Sequence, residues 1–144
     1  MIVGTGVDLV VHADVRESWQ RWNLPWLKKW CAEDEIADLL EVPDVRDRRV
    51  TRIAGTLAIK EAVTKSLAPP ADLPWPWRHI HVSRDLVAAR WAVSLEGTAL
   101  NLSLRLEVTS WMLDVTRGPT HTLAFAVASS DPDVGDQRCE GFLS

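Results

Sequence analysis

The first ten residues, MIVGTGVDLV, are almost all apolar and predict a buried β-strand over residues 2–10. Val3, Val7 and Val10 are β-branched, which favours a strand, and the two glycines allow another segment to approach the backbone closely. One carboxylate, Asp8, lies near the end of this apolar run. A buried charge without a partner is costly, so Asp8 requires a hydrogen bond, an ion pair or a metal.

Three helical patterns follow this strand. Residues 14–23 suit a short helix closed by Pro25, and residues 26–41 suit a second helix that Pro43 ends. The longest pattern covers about residues 45–67 and has one stripe at three- and four-residue spacing. That stripe consists of Val50, Ala54, Leu57, Ala58, Glu61 and Lys65. Its small residues would let a neighbouring strand come close.

The second half of the chain consists mainly of predicted strands. HIHVSRD, ARWAVSL and WMLDVT are strand-like runs, a helix is predicted to begin at Gly97 and Thr98, and residues 121–129 predict a final strand. This order of elements predicts the α+β class. We expect one domain over residues 1–130 and a flexible C-terminal tail over residues 131–144, where Gly, Asp and Pro are frequent.

The chain has eight tryptophans and no tyrosine, which is an unusual aromatic balance. Trp19, Trp22, Trp26 and Trp30 recur at three- and four-residue spacing, which predicts one shared helix face. That face packs either on the core or against a subunit or partner, because tryptophan is enriched in protein interfaces.

The overall composition is that of a globular domain, with 144 residues, of which 47% are apolar and 25% charged. No apolar run is long enough to cross a bilayer, and the N-terminus lacks the pattern of a secretory signal. Cys31 and Cys139 lie far apart, which argues against a disulfide framework and predicts a cytoplasmic protein. The net charge of -4 argues against non-specific binding to nucleic acid.

A second carboxylate, Glu61, interrupts the apolar stripe of the longest helical pattern. Two carboxylates from separate elements suit a magnesium site, because Mg²⁺ prefers oxygen ligands and is often completed by substrate phosphates. Lys65, one turn further on, would neutralise charge on a phosphoryl group. Two plainer interpretations stay open: Asp8 caps the next helix, or Glu61 and Lys65 form an i,i+4 ion pair.

Other familiar site motifs are absent from the sequence. GTGVD lacks the third glycine of a dinucleotide-binding loop and the GK[ST] of a P-loop. The histidines lack metal-ligand spacing, apart from His79 and His81, which alternate on a predicted strand and suit a surface or an interface. No serine lies in a nucleophile elbow.

Two separated motifs resemble those of a known family. MIVGTGVDLV resembles the opening strand of the holo-[acyl-carrier-protein] synthases, the small 4'-phosphopantetheinyl transferases. RIAGTLAIKEAVTKSL resembles their second signature, a helix with KEA followed by a lysine. WRHIHVSRD, VSLEGTAL and the strand after WMLDVT follow the family's order and spacing, so the resemblance covers about residues 1–130.

The resemblance implies the 4'-phosphopantetheinyl transferase fold, in which an antiparallel sheet packs with one long helix and shorter helices. It also implies a homotrimer with active sites at subunit interfaces, Mg²⁺, coenzyme A as co-substrate and an acyl carrier protein as partner. In the implied reaction, a serine hydroxyl of the carrier attacks the β-phosphate of coenzyme A, and 3',5'-ADP leaves.

The resemblance also implies roles for individual residues. Asp8 and Glu61 would bind Mg²⁺, so Asp8 would be a metal ligand supplied by the first strand. The implied catalytic residues are Glu61, Lys65 and His121. The implied coenzyme A contacts are Lys60, Lys65 and Arg117.

Several positions depart from the family's pattern. Thr56 lies where an arginine is usual, and Val11 and Asp14 replace a glutamate and an arginine that meets the carrier. The late histidine motif aligns in two ways. Without a gap, Arg117 takes the place of the histidine, and the strand register is kept. With a gap, His121 takes that place, and the threonines on either side of the histidine are kept. Arginine stays protonated, so Arg117 would not act as a general base.

Basic residues are concentrated in two places despite the acidic net charge. Those in the N-terminal helices, where the family docks its acidic carrier, are Arg16, Arg21, Lys28 and Lys29. Those at the start of the longest helix are Arg46, Arg48, Arg49 and Arg52. Cations at that end oppose the helix dipole, so they are either solvated or offset by an anion.

The sequence supports two main hypotheses. The first is a Mg²⁺-dependent phosphopantetheinyl transferase that serves fatty-acid synthesis or one secondary-metabolite carrier protein, as in polyketide synthesis. The second is a non-catalytic relative that binds a carrier protein or coenzyme A without transfer. A third, another reaction on a carrier-bound acyl chain, has no particular residue in its favour.

Overall fold

The fold is shown by a computed structural model, which describes residues 1–131. The strands are β1 (Ile2–Val11), β2 (Ile80–Asp85), β3 (Arg90–Leu95), β4 (Ser110–Arg117) and β5 (His121–Ser129). The helices are α1 (His12–Trp30), α2 (Glu33–Glu41), α3 (Arg48–Leu67) and α4 (Gly97–Arg105), with a 3-10 turn at Trp77–His79. The prediction of an α+β fold with one long helix is confirmed. The predicted tail, apart from its first residue, lies outside the described residues.

The strands form two antiparallel sheets. One has three strands in the order β1-β5-β4, and the other is the β2–β3 hairpin. In the three-stranded sheet Asp8 lies opposite Ala124, and Arg117 lies opposite Thr122. Side chains alternate between the faces of a strand, so Asp8, Ala124, Thr122 and Arg117 share one face. The buried residues of β5 show that α3 covers this face.

Close packing between β1 and α3 depends on two glycines. A Cβ atom added to Gly4 would lie 2.0 Å from the carbonyl oxygen of Ser66. One added to Gly6 would lie 1.8 Å from the carbonyl oxygen of Ala62. The first strand can therefore lie against the helix backbone only because these two positions have no side chain.

The N-terminal helices differ from the prediction in where they break. The predicted end of the first helix at residue 23 is confirmed by a break at Asn23 within α1, but the predicted second helix over residues 26–41 is divided, because α1 ends at Trp30 and α2 begins at Glu33. The backbone turns at Asn23, where φ is 48° and ψ is -137°. Pro25 therefore begins the second half of α1, and proline is tolerated in a first helical turn.

The prediction of one tryptophan face is wrong. Trp19 is 7% exposed and packs in the core, whereas Trp22 is 56% exposed. The kink at Asn23 changes the direction of the helix, so positions on either side of it no longer follow one helical repeat. Trp26 and Trp30 are partly buried against the cluster that contains Trp19.

Two apolar clusters make up the core. One lies between α3, the three-stranded sheet and the β2–β3 hairpin, and the other lies between α1, α2 and the first half of α3. Burial raises the pKa of Cys31, which lies in the second cluster, to about 12, so its thiol is unreactive. No helix within residues 1–131 has the length and apolar character needed to cross a membrane.

Candidate active site

Asp8 and Lys65 form an ion pair at the edge of the three-stranded sheet. Lys65 Nζ donates a hydrogen bond to Asp8 Oδ1 at 3.0 Å and to the carbonyl oxygen of Val7 at 2.9 Å. The side chain of Asp8 is mostly buried, and that of Lys65 is half exposed. Helix α1 begins without a side-chain cap, so Asp8 serves as a partner of Lys65 rather than as a helix cap.

Glu61 lies one turn before Lys65 on α3 and is half-buried. Burial raises the pKa of the Glu61 carboxyl above its ordinary value, and the negative charge of Asp8 raises it further. The positive charge of Lys65 lowers the pKa of Glu61, but the Lys65 ammonium is hydrogen-bonded to Asp8. The structure therefore brings Asp8 and Glu61, here called the acid pair, close enough to repel each other.

The acid pair fits a magnesium ion. A divalent cation would relieve the repulsion between a mostly buried and a half-buried carboxylate, and oxygen is the ligand atom that Mg²⁺ prefers. Residues 1–131 contain no group of three or more side chains suited to holding a metal. An ion at the acid pair would therefore take its remaining ligands from water or from phosphate oxygens.

A second feature is a groove of about 620 Å³ between α2, the start of α3, and the ends of β2 and β4. We call it the arginine groove. It is lined by Asp38, Glu41, Val42, Pro43, Arg46, Arg48, Thr51, Arg52, Arg84, Leu86 and Arg117. Five arginines against two carboxylates give the groove a positive charge that suits an anionic ligand.

Three of these arginines surround the indole ring of Trp91. The guanidinium carbons of Arg52, Arg84 and Arg117 lie 4.9, 5.1 and 5.8 Å from the ring centroid. Burial lowers the pKa of Arg52 to about 10, and repulsion from Arg84 and Arg117 contributes. Burial also lowers the pKa of Arg117, with a contribution from Arg84. Arg84 Nε is buried without a hydrogen-bond partner among the described residues, so a bound anion would satisfy charges that repel one another.

The sequence indicated only part of this groove. The cations at the start of α3 suggested an anion, and alignment suggested Arg117. Arg84 and Trp91 lie on the β2–β3 hairpin, and no local pattern links them to α3. Their contact with Arg52 depends on how the hairpin packs on the helix. Thr56, which replaces an arginine of the family pattern, is buried and donates a hydrogen bond to the carbonyl oxygen of Arg52.

Lys60 has a structural role in place of the coenzyme A contact that the resemblance implied. Its side chain is 0% exposed, and its ammonium lies 2.8 Å from Glu35 Oε1. An ammonium enclosed in the core does not reach a ligand on the surface. Its neighbour Glu61 points toward Asp8 because adjacent helical residues face different directions.

Arg117 and His121 lie on opposite faces of the sheet. Arg117 lines the groove on the face that α3 covers. His121 lies opposite Val11, three residues before Ala124, and is exposed on the other face, where its Nδ1 lies 2.6 Å from Thr120 Oγ1. Within one chain, therefore, His121 is not on the face that holds Asp8, and Arg117 is on that face two strands away.

The chain is similar to curated proteins over nearly its whole length. It is 31% identical to the holo-[acyl-carrier-protein] synthase of Beutenbergia cavernae over 128 residues, which cover 89% of this chain and 98% of that protein. It is 26% identical to the enzyme of the same name from Chlorobium limicola over 132 residues, which cover 92% and 98% of the two chains. No family model matches the chain.

Solved structures show the same fold. The acyl carrier protein synthase of Plasmodium yoelii with ADP bound has a TM-score of 0.76 at 19% identity, with 89% of this chain and 95% of that chain covered. The Helicobacter pylori holo-[acyl-carrier-protein] synthase in complex with coenzyme A has a TM-score of 0.70 at 20% identity, with 87% and 99% covered. The fold class is thus the α+β fold of the acyl carrier protein synthases.

The extent of the similarity to the Beutenbergia cavernae protein identifies the family. The chain belongs to the holo-[acyl-carrier-protein] synthase family, which is a family of transferases.

Proposed function

We propose that this protein transfers 4'-phosphopantetheine from coenzyme A to a serine of an apo acyl carrier protein, with Mg²⁺ required. The observation that carries the proposal is the convergence of Asp8, Glu61 and Lys65 at one edge of the sheet in a member of this family. Solved structures of relatives with this fold include one in complex with coenzyme A and one with ADP bound. A positively charged groove and a carboxylate pair match the two needs of the reaction, which are to bind phosphates and to hold a cation.

In the proposed reaction, a bond forms between the serine oxygen and the β-phosphorus of coenzyme A. The bond from that phosphorus to the bridging oxygen breaks, and 3',5'-ADP leaves with the bond's electron pair. Asp8 and Glu61 would hold Mg²⁺, which neutralises charge on the phosphates when bound. Lys65 lies beside Asp8 and would place its ammonium against the same phosphates.

The serine proton needs an acceptor. Glu61 is half-buried near Asp8 and would hold a water as well as Mg²⁺ in the reacting complex. A water held by Glu61 would take the proton from the serine hydroxyl, and Lys65 would assist the transfer. Arg117 has no role as a base, because guanidinium stays protonated at the pH of the reaction.

We assign the arginine groove to the phosphates of coenzyme A. Guanidinium groups match phosphate oxygens with two parallel hydrogen bonds, and Arg52, Arg84 and Arg117 are already gathered on Trp91. Burial lowers the pKa of Arg52 most, and a bound phosphate would offset the repulsion from Arg84 and Arg117 that lowers it further. Arg117 is therefore the coenzyme A contact that we propose on β4.

We also propose a homotrimer with active sites between subunits. The sheet face away from α3 has four exposed large apolar side chains, Val7, Leu9, Met112 and Phe125, with the polar residues Thr5, Asp114, Thr116 and His121 around them. Such a contiguous exposed patch favours an interface between protein chains. The acid pair and Arg117 lie at opposite edges of one sheet, on β1 and β4. A neighbouring chain would supply the groove, and His121 where it is used, to the acid pair of the first.

The proposed carrier surface is the exposed side of α1. Arg21, Lys28 and Lys29 are exposed there and would meet an acidic carrier. Arg16 is committed to Asp47 through hydrogen bonds of 2.7 and 3.1 Å, and the exposed Asp14 opposes an acidic partner. This mixed charge favours one dedicated carrier, such as that of a secondary-metabolite pathway, over carriers in general.

A second candidate function is binding of coenzyme A or a carrier without transfer. The observation in its favour is that Arg117 occupies the groove while His121 lies on the other face. Such a protein would bind coenzyme A through the arginine groove and leave the carrier in its apo form.

A mass-spectrometric transfer assay separates the two candidates. Wild-type protein is mixed with Mg²⁺, coenzyme A and a panel of apo carrier proteins, with and without a chelator. We expect one carrier to gain the mass of one phosphopantetheine, and the chelator to prevent the gain. No gain on any carrier, together with calorimetric binding of coenzyme A, would exclude transfer and support the binding function.

A further inference from the structure

The Lys60–Glu35 ion pair is buried and fully hydrogen-bonded. Lys60 is 0% exposed and Glu35 is 3% exposed. Lys60 Nζ donates to Glu35 Oε1 at 2.8 Å, to the carbonyl oxygen of Trp77 at 3.1 Å and to the carbonyl oxygen of Ile80. All three protons of the ammonium therefore have acceptors.

The carboxylate of Glu35 is equally well satisfied. Its Oε1 also accepts a hydrogen bond from the backbone N–H of Ala32, and its Oε2 accepts one from the N–H of Val82, both at 3.0 Å. The pair thus joins α2, α3, the 3-10 turn and β2 at one point. Replacing either partner alone would leave a buried charge without its counterion.

The helices and the strand that meet at this pair also line the arginine groove. Helix α2 contributes Asp38, one turn after Glu35, and α3 contributes Arg52. Strand β2 contributes Arg84, two residues after Val82, so both lie on the same face of the strand. The hydrogen bond between Val82 and Glu35 therefore sets the distance between two walls of the groove.

The groove requires such a restraint because its own charges push its walls apart. Arg52 on α3 and Arg84 on β2 repel each other across Trp91, and the pKa of Arg52 is lowered accordingly, after the larger effect of burial. Lys60 lies two turns further along α3 and is bonded to β2 through the carbonyl oxygen of Ile80. An ionic, directional contact holds one geometry more narrowly than apolar packing of the same volume.

We propose that Lys60 and Glu35 are positioning residues for coenzyme A, which hold the arginine groove at the width that its phosphates need. The inference rests on the proposed function, because it takes coenzyme A as the ligand of the groove. Neither residue touches the ligand. Their effect is on affinity for coenzyme A, and turnover at saturating coenzyme A is retained.

The test compares calorimetric Kd values for coenzyme A in the full chain. The double variant Glu35→Gln/Lys60→Met removes both charges together, so no unpaired charge stays buried, and such replacements are often tolerated. We expect its Kd to rise about fivefold or more, with KM for coenzyme A rising in parallel and kcat unchanged. Leu67→Ala is the matched control, because Leu67 is buried at the other end of α3 and does not line the groove.

Leu67→Ala is expected to lower the melting temperature and leave the Kd for coenzyme A unchanged. A folded double variant with the wild-type Kd would overturn the proposal, as would an equal change of Kd in the control. If the double variant does not fold, Glu35→Asp answers the same question, since it keeps the charge and moves the carboxylate by one methylene. Wild-type protein that binds coenzyme A but transfers nothing would refute the transferase and leave this test valid.

Discussion

At the scale of single residues, the site is governed by like charges held close together. Burial and the negative charge of Asp8 raise the pKa of Glu61, and Lys65 lowers it. In the arginine groove, burial and mutual repulsion lower the pKa of both Arg52 and Arg117. A bound counterion of opposite sign would stabilise either place, because it would reduce this repulsion.

Glu61→Gln should abolish transfer and stabilise the metal-free protein at neutral pH. The raised pKa of Glu61 means that the folded state binds its proton more tightly than the unfolded state does. Stability of the wild type therefore falls as pH rises from the ordinary glutamate range through the raised pKa, and it stays lower above it. Glutamine is neutral, so thermal unfolding of the variant should lack this decrease.

The transfer rate of Glu61→Gln should fall at least about 100-fold, as expected when a ligand of the catalytic metal is lost. Thermal unfolding without Mg²⁺ from pH 4 to pH 8, and the mass-spectrometric assay, measure the two effects. Glu33→Gln, on the exposed first turn of α2, is the control and should change neither. A variant with wild-type transfer would remove Glu61 from the proposed site.

Arg117→Gln should weaken binding of coenzyme A and stabilise the ligand-free protein. The lowered pKa of Arg117 means that its charge reduces the free energy of unfolding at neutral pH. This reduction is lost only as the pH rises above the lowered pKa. A hydrogen bond to a charged group contributes about 2 kcal/mol, so the KM for coenzyme A should rise about 30-fold. Arg90→Gln, exposed on β3 and outside the groove, is the control. An unchanged KM in Arg117→Gln would contradict the assignment of the groove.

At the scale of secondary-structure elements, the acid pair depends on the contact between β1 and α3. The strand supplies Asp8, and the helix supplies Glu61 and Lys65. The strand and the helix residues lie far apart in the sequence, so only packing brings them together. Gly6, two residues before Asp8, lies against the carbonyl oxygen of Ala62, the residue after Glu61. The strand-to-helix distance at the site is therefore set by this glycine.

Gly6→Ala should destabilise the protein and slow transfer. Its Cβ atom would lie 1.8 Å from a backbone oxygen, so the strand and the helix must separate. Such overpacking costs about 3 kcal/mol, and a displacement of about 1 Å between reacting groups costs about 100-fold in rate. Urea unfolding and kcat, measured where the variant is still folded, test both effects. Thr5→Ala, exposed on the other face of β1, should change neither, and a fully active Gly6→Ala would refute this dependence.

At the scale of the whole molecule, one face of the three-stranded sheet has no covering layer among the described residues. Helix α3 covers the other face, and the open face presents apolar side chains of all three strands. A sheet normally buries at least one face and solvates the other with polar side chains. The exposed apolar side chains of the open face therefore support the proposed contact between subunits.

Phe125→Lys should break the proposed trimer. Phe125 is 45% exposed on the central strand of the open face, where a charge would be buried by assembly. Analytical ultracentrifugation should show a trimer for the wild type and a monomer for the variant, which should also lose transfer. Leu104→Lys replaces an exposed leucine on α4, away from the sheet, and should change neither mass nor activity. A monomeric wild type with full activity would refute the shared active site.

Local patterns were sufficient for most of the elements. Strand β5 has the predicted bounds, and α3 differs from its prediction only at its start, because alternation and helical spacing are properties of neighbouring residues. The break at Asn23 was predictable from Pro25, whereas the break at Cys31 and Ala32 was not, because no glycine or proline marks it. Asp8 and Glu61 were predictable as candidate site residues, because each carboxylate interrupts an apolar pattern.

The amino-acid sequence by itself determined the α+β class, the order of elements and the family, along with Asp8, Glu61 and Lys65 as residues of interest. Only the tertiary structure decided which charges meet. It paired Lys65 with Asp8, enclosed Lys60 with Glu35, and gathered Arg52, Arg84 and Arg117 on Trp91. The physical reason is that electrostatic interactions depend on distance and burial. For residues far apart in the chain, both are determined only when their helices and strands pack together.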